Sequence, residues 1–165
     1  MDYYSIISKG YEKLHLEEQS KKLDIIRENL AINKATRLLD IGCGTGISSN
    51  FDCYVVGVDR SIGMLKRNPN RAKICGIAEL LPFKNSSFEC VISVTSIHNF
   101  EDIEKSIMEM RRLSRGKVVI TILNKARRFS SINKCIAKQI KIEKITNEGK
   151  DTILFCQVPA SCRKT

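Results

Sequence analysis

Apolar residues along the chain recur at two alternating periods. Between residues 10 and 33, Leu14, Leu23, Ile26 and Leu30 stand among charges at helical spacing, which predicts an amphipathic entry segment of one or two helices. Arg37-Leu38-Leu39-Asp40-Ile41 reads as a short buried strand, and it runs directly into Gly42-Cys43-Gly44-Thr45-Gly46 and a brief segment over 47–51. Tyr54 to Asp59 is a second apolar strand ending on a carboxylate, and Ser61 is placed to cap a helix through Leu65. Strands follow at 72–77, 90–94 and 117–123. The fourth and fifth are separated by a helix whose buried stripe is Ile103, Ile107, Met110 and Leu113. Residues 130–138 read as helix, and strands at 140–146 and 152–158 flank the turn signal Asn147-Glu148-Gly149-Lys150 as a hairpin.

Strands alternating with helices imply an α/β fold, a mostly parallel sheet wound on both faces, and the closing hairpin supplies an antiparallel edge. With 165 residues, a single domain is expected: an entry segment over 1–36, a core over 37–158 and a tail over 159–165.

Seven cysteines, none in a Cys-x-x-Cys pair, suggest neither a disulfide framework nor a metal site, and most lie in apolar segments as small hydrophobes. The first residues lack the pattern of a signal peptide and no apolar run nears the ~20 residues that span a bilayer, so a soluble cytoplasmic protein with no membrane partner is expected. Lys and Arg total 28 against 18 Asp and Glu, a formal net charge of +10. Two readings of this excess stand: attraction to an anionic partner, nucleic acid first, or a solvated lysine-rich surface.

The chemistry concentrates at the glycine turn. In doubly wound sheets ligands bind at the carboxyl ends of strands where strand order reverses, and glycine lets a ligand approach the backbone without meeting a Cβ. Asp59, closing the second strand, suits a carboxylate accepting hydrogen bonds from ribose hydroxyls. A dinucleotide fingerprint needs its third glycine one position beyond Gly46, where Ile47 stands, so the pyrophosphate motif is out of register. Asp40, just before the turn, would repel a pyrophosphate and attract an ammonium group. A zwitterionic amino-acid end fits better.

Leu38-Leu39-Asp40-Ile41-Gly42-Cys43-Gly44-Thr45-Gly46 resembles motif I of the class I S-adenosylmethionine-dependent methyltransferases, of the methyltransferase type 11 kind. Gly57-Val58-Asp59-Arg60-Ser61 with Met64-Leu65 resembles their second motif, and Ala78 to Phe83 with Ser87-Phe88-Glu89 resembles the adenine-side loop, so the likeness runs over about residues 3–158. The resemblance implies a Rossmann-like seven-stranded sheet and S-adenosylmethionine as cofactor, leaving as S-adenosylhomocysteine. It places Asp40 at the methionine amino group, the backbone of Gly42, Cys43, Gly44 and Gly46 beneath methionine and ribose, and Asp59 on the ribose. Arg60, Met64 and Ile77 would flank the adenine, Ala78 would offer its amide, Ser93 would lie near the methionine end, and Tyr11 would cover the cofactor or pack the entry helix.

Two departures stand out. Many relatives carry Asp where this chain has Ile77, and the stretch between Gly46 and Asp59 is about one helical turn short, so the first helix should be stunted, with Phe51 or Tyr54 covering the exposed sheet.

Within the superfamily, Asp59-Arg60-Ser61 and Ser96-Ile97-His98-Asn99-Phe100 look most like RNA methyltransferases of the wobble-uridine tRNA and small-subunit rRNA guanine-N7 types, which commonly work with a small zinc-ribbon activator. Quinone-biosynthesis methyltransferases share similar strings. His98, after the fourth strand, is a candidate general base or substrate contact, or else a structural histidine. Lys125, Arg127 and Arg128 beside Phe129 form either an RNA-contacting loop or a solvated one. RNA methylation is the first functional expectation; a small-molecule methyltransferase and a non-catalytic cofactor-binding subunit are the alternatives.

Overall fold

The structure, a computed structural model, describes residues 17–159. The chain divides into two compact units, Met1–Ala31 and Ile32–Thr165. The first carries helix α1 over 17–29, on which Leu23, Ile26 and Leu30 are buried as their spacing predicts.

The second unit is a seven-stranded sheet of order β3-β2-β1-β4-β5-β7-β6. Strands β1 (Arg37–Ile41), β2 (Tyr54–Asp59), β3 (Lys73–Cys75), β4 (Phe88–Ser93) and β5 (Ser114–Leu123) run parallel. The hairpin β6 (Lys141–Glu148) and β7 (Asp151–Gln157) adds two antiparallel strands at one end. Strand β7 is buried along its length because it sits between β5 and β6, whereas the outer strand β6 alternates half-buried and exposed residues and carries Lys141, Glu143 and Lys144. Charge on a sheet edge discourages further strand pairing.

Three helices follow from the apolar spacing: α2 (Ile62–Arg67), α3 (Ile103–Leu113) and α4 (Phe129–Gln139). Ser61 and Asp102 cap α2 and α3 by accepting hydrogen bonds from the Met64 and Lys105 amides. Helix α3 buries Ile103, Ile107, Met110 and Leu113, and α4 buries Ile132 and Ile136 against the same core. Burying a side chain of this size contributes roughly 1.5–3 kcal/mol, so the stripe of α3 is a principal fastening of that face. Strand β3 is shorter than the expected 72–77, and β4 and β5 start earlier than expected.

The connection after β1 is the exception to the winding. Where a full helix would cross over, there is only a 3-10 turn, Ile47–Ser49, with no buried residue. The stunted first helix is therefore real. Tyr54 does not compensate for it, being 58% exposed at the start of β2.

Strand order reverses between β1 and β4, since β2 and β3 lie to one side and β5 to the other. The crevice this reversal creates lies at the carboxyl ends of β1, β2 and β4, where the sequence puts its glycine turn and carboxylates. Among the described residues, no helix is long and apolar enough to cross a membrane, and no group of three or more His, Cys, Asp or Glu residues is arranged to hold a metal.

Candidate functional site

The glycine turn is bound tightly to the strand beside it. Gly42 and Cys43 both donate their amides to the Val58 carbonyl, at 2.8 and 3.1 Å. Gly42 has φ +80°, and a Cβ there would lie 2.5 Å from the Cβ and Oγ of Ser96. Only glycine allows the loop after β4 to close this far onto the end of β1. Ser96 fixes that approach by donating to the Ile41 carbonyl at 3.0 Å and sharing a 2.7 Å hydrogen bond with Ser93.

A cavity of about 350 Å³ opens beside this contact. Gly42 and Gly44 form its floor on the turn, Asp59, Arg60, Ser61 and Met64 one side, and Ile77 and Ala78 the far end. Thr95, Ser96, Asn99 and Phe100 complete it from the loop after β4. Asp59 is engaged through both oxygens, one accepting from the Gly44 amide and the other from the Ser61 amide, each at 2.8 Å. Arg60 reaches Glu101 across the opening in an exposed ion pair of 3.2 Å.

Asp40, Cys43 and Ser93 are buried behind this wall and Gly46 is half-buried; none of the four lines the cavity. Asp40 is fully buried. One of its oxygens accepts hydrogen bonds from the Ser48 and Ser49 hydroxyls, both 2.7 Å, and the other has no partner among the described residues. Burial lifts this carboxyl from its ordinary 3.8 to about 6; the two serines pull it down and Asp59 pushes it up. A buried carboxylate oxygen without a donor, close to a second carboxylate, is a place for a cation. Cys43 is also buried, with its thiol pushed up to about 12 by burial and by Asp40 and Asp59, so it is no nucleophile at neutral pH.

The adenine-side loop is held from below. Arg112 on α3 meets both oxygens of Glu109 at 2.6 and 2.7 Å and donates to the Leu81 and Phe83 carbonyls, while Glu109 accepts from the Leu81 amide. That clamp holds Leu81 and Phe83, a few residues beyond Ile77 and Ala78 on the same loop. Ile77 is half exposed and presents an apolar side chain at the cavity.

Other expected residues land elsewhere. His98 is half-buried within a 3-10 turn, Ile97–Asn99, and does not line the cavity, whereas its neighbours Asn99 and Phe100 do. Lys125, Arg127 and Arg128 are exposed in the connection from β5 to α4, outside the cavity. Arg128 is committed within the fold, donating to the Phe100 carbonyl at 2.8 Å and the Glu101 carbonyl at 3.4 Å. Tyr11 lies outside the described residues.

Residues the sequence did not single out complete the site. Asn68, at the end of α2, donates to the Gly44 carbonyl and the Cys43 sulfur and lies where a Cβ on Gly46 would fall. In sequence it reads as an ordinary helix terminus. Ser48 and Ser49 had no signal beyond their place in a short connection.

Residues 39–121 match the family model described as a methyltransferase domain. A demethylmenaquinone methyltransferase of Renibacterium salmoninarum is 37% identical over 94 residues, covering 51% of this chain and 40% of that protein. The tRNA (carboxymethyluridine(34)-5-O)-methyltransferase of Saccharomyces cerevisiae is 31% identical over 81 residues, 46% of this chain and 29% of that protein. The chain spans about half the length of the curated relatives it matches.

Among solved structures, an S-adenosylmethionine-dependent methyltransferase from Aquifex aeolicus shares the fold with a TM-score of 0.70 at 11% identity, covering 83% of this chain and 89% of that one. A Haloferax volcanii methyltransferase in complex with the activator Trm112 does so with a TM-score of 0.75 at 12% identity, covering 92% and 93%. The motif-bearing strands, the glycine turn and the family match agree: this chain belongs to the methyltransferase-domain family.

Proposed function

We propose that this protein binds S-adenosylmethionine at the glycine turn and transfers its methyl group to RNA, with tRNA or rRNA as the acceptor. The observation that carries the cofactor half is the buried carboxyl of Asp40, which has an unpartnered oxygen under a turn whose outer face leads to Asp59. An ammonium group reaching Asp40 would satisfy that oxygen, Asp59 would turn to ribose hydroxyls, and Met64, Ile77 and Ala78 would enclose the adenine. The sulfonium, when bound, supplies an electrophilic methyl group. The chain's own contribution is to hold the donor and leave the acceptor side open along Thr95 and Asn99, so that orientation supplies much of the rate.

The net charge of +10 and the exposed Lys125 and Arg127 beyond β5 support an RNA acceptor, as does similarity to the yeast tRNA methyltransferase. Arg128, exposed beside them, also donates to the Phe100 carbonyl at the rim of the cavity and keeps further N–H groups for phosphate. Sharing a fold with a methyltransferase in complex with Trm112 is consistent with a small activator subunit for this chain as well. A second reading, a small-molecule acceptor such as a quinone, draws on similarity to the demethylmenaquinone methyltransferase.

Radiolabelled methyl transfer offered in parallel to total RNA, protein extract and small metabolites, with and without a zinc-ribbon activator, separates these readings. Label in RNA is the expected outcome. Label confined to small metabolites would replace the acceptor, and cofactor binding without any labelled pool would leave a non-catalytic subunit.

A further inference from the structure

Thr95 has a backbone that its residue type disfavours. Its φ is +53°, in the left-handed region, where a β-branched side chain is a genuine outlier because its Cβ substituents crowd the backbone. Such a conformation persists only when the surroundings dictate it, and residues held this way concentrate at functional sites. The surroundings here are specific. The Thr95 amide donates to the Thr121 hydroxyl at 2.6 Å, the two hydroxyls lie 3.1 Å apart, and the Thr95 hydroxyl donates to the Asp151 carboxylate at 3.3 Å. Thr121 is fully buried on β5 and Asp151 is 5% exposed at the start of β7, so two neighbouring strands supply fixed partners. Glycine would take the same backbone turn at lower cost, and the chain has threonine.

Thr95 also lines the cavity, immediately after β4 and next to Ser96, which closes on Gly42. With its own proton on Asp151, the Thr95 oxygen can meet a further group only as a hydrogen-bond acceptor.

Resting on the methyl-transfer reading, we propose that Thr95 contacts the methyl acceptor and selects one that carries a hydrogen on or beside its nucleophilic atom, an O–H or N–H group, with Thr121 and Asp151 as the positioning residues that aim it. The left-handed turn sets Thr95 in the cavity lining, and the buried Asp151 carboxylate draws its hydroxyl proton inward. A carbon nucleophile without such a hydrogen gains nothing from this contact.

Thr95→Gly separates the hydroxyl from the backbone, because glycine keeps the φ and loses the side chain. The full-length variant is compared with wild type, Thr95→Ser and Asp151→Asn in thermal unfolding, calorimetric binding of S-adenosylhomocysteine, and methyl transfer to whichever of total RNA or small-metabolite extract wild type labels. Expected for Thr95→Gly are unfolding no earlier than wild type, S-adenosylhomocysteine affinity within about twofold, and acceptor kcat/KM down about tenfold, mostly through KM. Thr95→Ser restores the acceptor KM, and Asp151→Asn, should Thr95→Gly not fold, raises it with cofactor affinity unchanged. Wild-type kcat/KM in Thr95→Gly, or loss of cofactor and acceptor binding in step, overturns the assignment while leaving methyl transfer intact. Wild type that binds no S-adenosylhomocysteine, or labels neither pool, overturns both readings, and that failure shows in wild type alone.

Discussion

Replacing Asp40 by asparagine should stabilise the ligand-free protein and abolish cofactor binding, two effects of opposite sign from one atom. Burial raises the Asp40 carboxyl from 3.8 to about 6, against the pull of Ser49 and Ser48. At about 1.4 kcal/mol per unit, a carboxylate kept charged there above pH 6 costs the native state roughly 3 kcal/mol. The native state binds the proton more tightly than the unfolded chain, so wild-type stability declines as pH rises from about 4 to about 6 and levels off above. Asparagine keeps an acceptor for both serine hydroxyls and removes the charge, but its amide takes the position of the unpartnered oxygen, returning about 1–2 kcal/mol. The net gain of roughly 1–2 kcal/mol corresponds to about 3–6 °C in Tm for a chain of this size. Thermal unfolding between pH 4 and pH 8 reads both parts: a higher Tm at pH 7.5 and loss of the slope between pH 4 and 6. Calorimetry then reads the second effect, since an ammonium partner favours the ionised carboxyl and wild-type affinity should fall as pH drops below about 6. An Asp40→Asn protein that melts below wild type at pH 7.5, or binds S-adenosylmethionine equally well, would refute this reasoning.

Gly42→Ala places a methyl group against Ser96 at a left-handed φ, and should cost about 3 kcal/mol in denaturant unfolding along with cofactor affinity; an unaffected variant would show that the two loops need not touch. Ile77→Asp supplies a carboxylate at the half-exposed adenine end, and calorimetry should show a several-fold tighter complex with little change in stability. Arg112→Ala breaks the clamp with Glu109 under the adenine-side loop and should lower unfolding stability by about 2–3 kcal/mol, beyond what exposed ion pairs contribute. Lys125→Ala and Arg127→Ala should each reduce the salt slope of RNA binding by roughly one, whereas Arg128→Ala should lower stability as well, because its guanidinium also donates to the Phe100 and Glu101 carbonyls.

The inner strands of the sheet were legible because they are buried on both faces and read as continuous apolar runs, and Gly149 after Glu148 marked the hairpin. The glycine turn and Asp59 were legible because backbone approach and strand-end carboxylates leave residue types at fixed spacing. What escaped detection depends on contacts between distant segments. Ser48 and Ser49 matter only because the first helix shrinks to a single turn that bends both hydroxyls onto Asp40, and nothing in a local window shows that. Thr95 carries its meaning in a φ that threonine does not advertise and in partners 26 and 56 positions away. Asn99 and Phe100 line the cavity because the 3-10 turn after β4 sends Ile97 into the core, an outcome that residue type alone does not show. Arg128 looked identical to its basic neighbours until two backbone carbonyls claimed it.

Calorimetric titration of S-adenosylmethionine into the full-length protein, alone and with a zinc-ribbon activator, and into Asp59→Ala, addresses the glycine-turn site directly. One molecule bound per chain by wild type, and at least tenfold weaker binding by Asp59→Ala, is the outcome this site requires. Wild type that binds no cofactor under either condition would contradict it.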